Sequence, residues 1–147
     1  CLTDLYSTLQ EITSQEKKPD AGEDSFSLLP AFAGKTSTER TTLISHSIDG
    51  SFAIRRGHWK LCLSAGSAGW SAPKEPDAQK QGLPPMQLYN LKADKAEQNN
   101  LFNQKKGKVN ELLDLLEKEV SSGRCTPGES VPNDRMVTYL PKGYKPS

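Results

Sequence analysis

Residues Ser51–Leu63 read SFAIRRGHWKLCL. Both halves of this stretch alternate: Ala53 separates Phe52 from Ile54, and Lys60 and Cys62 separate Trp59, Leu61 and Leu63. A period of two marks a strand with one face in a core, because successive side chains leave a pleated backbone on opposite sides. Arg56-Gly57 supplies a turn between the halves, so the stretch predicts an antiparallel hairpin. Trp59, Leu61 and Leu63 then share one face, and His58, Lys60 and Cys62 share the other.

Working outward, residues 40–47, RTTLISHS, are rich in β-branched side chains and suit a strand, and Asp49-Gly50 turns the chain into the hairpin. Residues 64–85 are rich in Gly, Pro and Ser and read as a long irregular loop, a kind of segment that in a compact domain is usually functional or disordered. MQLYNL, residues 86–91, reads as a fourth strand, and KADKAEQNNLF turns the chain after it. Residues 105–121 carry the clearest helical stripe, Val109, Leu112, Leu113, Leu116 and Val120, with Gly123 where a C-cap glycine belongs. Lys105, Lys106 and Lys108 oppose the helix dipole and leave its start undefined.

Before the hairpin, Leu2, Leu5, Leu9 and Ile12 fall on one face of a helix over residues 2–13, with Thr3 or Asp4 as its cap. Residues 14–24 read as a loop, and SFSLLPAF as a short apolar helical turn stopped near Gly34. The tail beyond Cys125 reads as an irregular arm laid on another surface. Helix, short helix, three strands, loop, strand, helix and tail make an α+β order: one small four-stranded antiparallel sheet with helices on one face.

Composition bounds the function. The 147 residues are 34% hydrophobic with a mean hydropathy of −0.67, so the core is small. Nineteen Lys and Arg against eighteen Asp and Glu leave a net charge of +1, which gives no general argument for nucleic acid or an anionic membrane. No apolar run reaches the roughly 20 residues needed to span a bilayer. CLTDLYSTLQ has no basic region or cleavage pattern, so no signal peptide is expected within it. Cys1, Cys62 and Cys125 form no clustered pattern, although one pair could form. His46 and His58 lack cysteine partners at zinc spacing, and the carboxylates give no EF-hand, so no metal site is expected. No nucleophile elbow, P-loop or G-x-G-x-x-G is present.

Three residues stand out as substrate-binding candidates. Trp70 sits in the Gly-rich loop, where an aromatic ring either stacks on a sugar or aryl group or plugs its own loop. His46 ends the first strand and is either a packed or surface histidine or a ring able to donate to a ligand oxygen. Lys60, with Arg55, Arg56 and His58, makes a basic strand face that either binds an anion or is simply solvated.

In order along the chain, LTDLYSTLQEIT, GEDSFSLLPAFAG, SFAIRRGHWKLCL, CLSAGSAGWSAP, LYNLKADKAEQNNL and GRCTPG resemble the C-terminal subdomain of formylglycine-dependent sulfatases of the arylsulfatase A type. The match runs over roughly residues 2–134. It departs from the family pattern at Asn90, where Asp is usual, at Ala96, where Pro is usual, and at Cys125, where Ser is frequent. Cys125-Thr126-Pro127 looks like the start of the family's C-x-P-S-R nucleophile motif. Gly128 and Glu129 stand in its Ser and Arg places, however, and a Glu there would repel sulfate, so Cys125 reads as a tail thiol.

The resemblance implies that residues 1–147 are a sulfatase C-terminal subdomain, a fragment from which the catalytic α/β domain is absent. It implies no catalytic residue in this chain; the calcium and the formylglycine belong to the missing half. The expected function is to help wall the substrate pocket of an enzyme that hydrolyses sulfate esters of a sugar or aryl group, with no activity alone. The expected partners are that missing catalytic domain and a sulfated small molecule or glycan, with neither nucleic acid nor membrane. Leu2, Leu5 and Leu9 would face the absent half, so the isolated fragment is expected to self-associate. The parent is expected to be periplasmic or secreted. The competing expectation is a non-catalytic glycan-binding or protein-interaction module, supported by Trp70 and its loop.

Overall fold

The computed structural model describes residues 1–18, 20–35 and 40–144. Pro19 of the first loop and the last three residues of the tail lie outside them. The chain divides into two compact units, Cys1–Thr41 with Glu117–Met136, and Thr42–Leu116 with Val137–Ser147.

The second unit holds the sheet: β1 (Thr42–His46), β2 (Phe52–Arg56), β3 (Trp59–Cys62) and β4 (Gln87–Asn90), antiparallel and in sequential order. The α+β class and the four-stranded meander expected from the sequence are both present. The register sets Ile44, Ile54, Leu61 and Leu88 side by side across the four strands. Ile54, Leu61 and Leu88 are fully buried, as are Met86 and the helical residues Val109, Leu112 and Leu116 of the same unit. At roughly 1.5–3 kcal/mol for each large apolar side chain removed from water, this cluster is the unit's main stabiliser.

Local chemistry closes the sheet. Asp49 accepts from the Ser47 hydroxyl at 2.7 Å and the Ser51 N–H at 2.9 Å, fixing the β1–β2 turn. The β2–β3 turn falls on Gly57-His58, since Arg56 pairs with Trp59. Beside β4, Asn100 accepts from the Leu88 N–H at 3.0 Å and donates to the Met86 carbonyl at 3.1 Å, so a side-chain amide covers groups that would otherwise be an open edge.

Two sequence expectations need correction in this unit. Residues 64–85 are not wholly irregular, because α1 to α4 include a helix there: in chain order they are Asp4–Ile12, Leu29–Phe32, Glu75–Lys80 and Lys106–Ser122. In α3, Pro76 occupies the first turn, where its missing N–H costs nothing; Glu75 and Asp77 suit the positive end of the helix and Lys80 the negative end. The start of α4 is also well defined. Lys106 Nζ lies 3.5 Å from the centre of the Phe102 ring, and Lys108 pairs with Glu111, so these cations have partners that offset the dipole.

The first unit is built differently. α1 buries Asp4, Ser7 and Thr8, its polar side, while Leu2, Leu5, Tyr6, Leu9 and Ile12 are exposed, Leu2 by 85%. The polar side serves the irregular segment 25–28. Ser7 and Ser25 exchange hydrogen bonds at 2.8 and 2.9 Å, Thr8 Oγ1 accepts from the Leu28 N–H at 2.9 Å, and Asp4 accepts from the Phe26 N–H at 3.0 Å. Neither Thr3 nor Asp4 caps the helix by its side chain as expected; the Asp4 carboxylate is taken by Phe26 and Arg40 instead.

The first part of the tail folds back on the end of α4, where the Val131 N–H donates to the Ser122 carbonyl at 2.9 Å and Asn133 Nδ2 to the Val120 carbonyl at 2.7 Å. Further on, Tyr144 packs edge-on to Phe102 with ring centres 6.4 Å apart. The expected cap glycine makes the fold-back possible. Gly123 has φ +66°, and a Cβ on it would stand 1.9 Å from the Val131 carbonyl oxygen.

Burial opposes ionisation of Asp4, but the Arg40 guanidinium and the Phe26 N–H outweigh it and hold the carboxyl below its ordinary 3.8. A depressed folded value stabilises the fold above the unfolded value and loses that stability as pH falls through the folded one. Asp4→Asn is therefore expected to cost about 3 kcal/mol at neutral pH, the scale of a broken buried pair. It should also flatten the fall in stability below pH 3.8. Urea midpoints measured across that range for both proteins check this, and parallel profiles would contradict it.

Candidate functional site

The pleat that buries Leu61 turns its neighbours the other way. Ser45, Ala53, Cys62 and Gln87 form one row across the opposite face, and Leu43, Arg55, Lys60 and Tyr89 form the next. Above this face lies a concavity of about 740 Å³. The loop over residues 64–72 makes one wall, Glu97 and Gln98 make another, and His46, Ser47 and Ser51 close the end. Volumes of this order suit a small molecule or a sugar unit.

Two of the three sequence candidates, His46 and Lys60, line this one cavity. His46 is exposed at the strand end, its ring centre 5.8 Å from that of Phe52. Trp70 is 82% exposed on the loop whose flanking residues Ala68, Ser71 and Ala72 line the wall. It does not plug its own loop.

The loop is held from both sides. Gln87 Nε2 donates to the carbonyls of Ser64 at 3.0 Å and Gly66 at 2.8 Å, and the Tyr89 hydroxyl donates to Gln87 Oε1 at 2.7 Å. From α3, the Glu75 carboxylate accepts from the Gly66 N–H at 2.8 Å and the Ala65 N–H at 3.2 Å. The helix missing from the sequence reading thus anchors the wall of the site. Gly66 is needed for this approach, since a Cβ there would lie 2.8 Å from the Pro73 carbonyl oxygen and 2.9 Å from the Glu75 nitrogen.

The electrostatics differ from the basic face that the sequence suggested. Lys60 Nζ donates to both oxygens of Glu97 at 2.8 and 3.0 Å. Glu97 was not singled out in the sequence, being 37 residues from Lys60 and in a turn. Burial pushes the Tyr89 hydroxyl up to about 12, helped by the nearby carboxylates of Glu97 and Asp94. It therefore stays a neutral donor at physiological pH. Burial also raises the Cys62 thiol, more than Lys60 lowers it.

Cys125, in the first unit, is equally remote from nucleophilic character. Burial, Glu119 and Asp24 all raise its thiol, and Sγ sits 3.0 Å from Glu119 Oε2. All three cysteines are free. Among the described residues no group of three His, Cys, Asp or Glu is arranged to hold a metal ion.

Over 114 residues the chain is 30% identical to an N-acetylgalactosamine-6-O-sulfatase of Bacteroides thetaiotaomicron, a match covering 78% of this chain and 22% of that protein. It also resembles a solved structure from work on the metabolism of multiple glycosaminoglycans by the same bacterium, a 6S-sulfatase. There the TM-score is 0.62 and the identity 32%, over 78% of this chain and 24% of the other. No family model matches. The chain thus spans between 22% and 24% of the length of these relatives.

Gly66→Ala is expected to displace the wall and to cost about 1–3 kcal/mol, as overpacking does. Trp70→Ala, at an exposed position, should stay within about 0.5 kcal/mol of the parent protein. Thermal melts of both, with amide exchange at residues 65 and 66, test the difference. Equal melts would mean that the loop is not braced as described.

Proposed function

We propose, from the premise that this chain is a sulfatase homologue, that it forms the C-terminal portion of a sulfatase and walls the substrate pocket without performing the chemistry. The observation that carries this reading is the convergence of His46, Lys60 and the Trp70 loop on one cavity of the sheet. The hydrolysis of the sulfate ester, with its calcium and formylglycine, belongs to sulfatase segments outside these 147 residues. The substrate class is a sulfated sugar, in keeping with the relatives' names, and an N-acetylgalactosamine 6-sulfate is the first to try.

The partner in this reading is the catalytic portion of the same enzyme. Leu2, Leu5, Leu9 and Ile12 support it: a polar-side-in helix leaves an apolar stripe in water, and such stripes mark docking surfaces. Sedimentation of the 147-residue chain alone should show self-association that Leu5→Lys with Leu9→Lys abolishes. A monodisperse monomer at all concentrations would remove this support.

The chain alone should not cleave a chromogenic aryl sulfate, and turnover by it would overturn the reading. In the whole sulfatase, Trp70→Ala should raise KM about 3- to 10-fold with kcat nearly unchanged, the signature of a group that binds substrate and transition state alike. An unaltered KM would favour the interaction-module alternative.

A further inference from the structure

The cavity contains a cation and an anion that neutralise each other. Lys60 and Glu97 are each about one-third exposed, and Lys60 directs two of its three donors to the Glu97 oxygens, keeping one free for a ligand. An anion brought to Lys60 meets Glu97 at nearly the same distance. It gains little attraction and still loses its hydration. An uncharged ring with adjacent hydroxyls loses far less water. One hydroxyl can accept from Lys60 while the next donates to a spare lone pair of Glu97, and Gln98, Ser45 and Ser71 offer further polar groups at the walls.

The backbone of Glu97 points the same way. Its φ is +55°, a left-handed conformation that a glycine or asparagine adopts more readily than a glutamate. The turn that imposes it is tied down, with Asp94 accepting from the Asn99 N–H at 2.8 Å and Asn100 joined to β4. A strained residue held by its surroundings is a reason to look for a role for its side chain. Here that side chain lies over Lys60.

We infer that the Lys60–Glu97 pair selects an uncharged sugar unit for this cavity and turns away an anionic one, so that the sulfate of a bound substrate lies outside it. This rests on the proposal that the cavity faces the sugar. Glu97 is then a specificity-determining residue that neutralises the only lysine that lines the cavity among the described residues.

The test is an NMR titration of the 147-residue chain with methyl N-acetyl-β-D-galactosaminide, which is uncharged, and methyl β-D-glucuronide, which carries a carboxylate. The expected result is shifts at Trp70, Gln87 and Tyr89 with the first probe, and binding of the second at least 5-fold weaker. Glu97→Gln leaves Lys60 uncompensated and should tighten the glucuronide about 10-fold while changing the neutral probe less than 3-fold. Glu97→Asn, which suits the left-handed turn, should do the same and stands in if the Gln variant misfolds. Equal binding of both probes by the parent chain, or no tightening of the glucuronide in either variant, overturns the inference and leaves the cavity as a sugar-facing wall. No shift at these residues with either probe overturns both.

Discussion

The register that sets Ile54, Leu61 and Leu88 abreast is the constraint on which the sheet and its cavity both depend. A strand offers only two faces, so placing Leu61 in the core places Lys60 and Cys62 under the cavity. A slip of one residue would bury Lys60 and expose Leu61. It would forfeit apolar burial in every paired strand and leave an ammonium without water. The floor of the site is therefore held by the energetics of the opposite face, and no residue in the cavity has to stabilise it.

The first unit shows the limit of the same logic. Hydrophobic periodicity usually identifies the side of a helix that faces the protein. In α1 the periodic apolar side is the exposed one, because Asp4, Ser7 and Thr8, also at helical spacing, face a segment with unpaired backbone groups. Burying a leucine there would leave the N–H groups of Ser7, Phe26 and Leu28 without acceptors, at a cost exceeding the apolar gain. The sequence shows two stripes on one helix. It does not show which stripe meets the rest of the chain.

Elsewhere, legibility followed the range of the interaction. The meander was readable because alternation and the Asp49-Gly50 turn are local. The cap at Gly123 was readable for the same reason. The sulfatase resemblance was readable from the order of short motifs, and the relatives match it. By contrast, α3 is six residues long and its Pro76 resembles loop punctuation unless the acids around it are weighed. The partner of Lys60 was not readable at all. Thirty-seven residues of chain and a left-handed turn bring Glu97 to it, and nothing in the local pattern announces that approach.

What the cavity presents is a set of fixed dipoles with almost no net charge. Tyr89 is held protonated by burial, and its hydroxyl orients Gln87, which in turn holds the loop carbonyls. Cys62 is a thiol rather than a thiolate for the same reason. Lys60 is a cation already answered by a carboxylate. Tyr89 and Cys62 cannot readily supply a nucleophile, since burial has pushed the hydroxyl and the thiol away from their reactive forms. Groups so arranged are suited to holding a polar, uncharged surface in a defined orientation, because their dipoles need no reorganisation when a ligand replaces water.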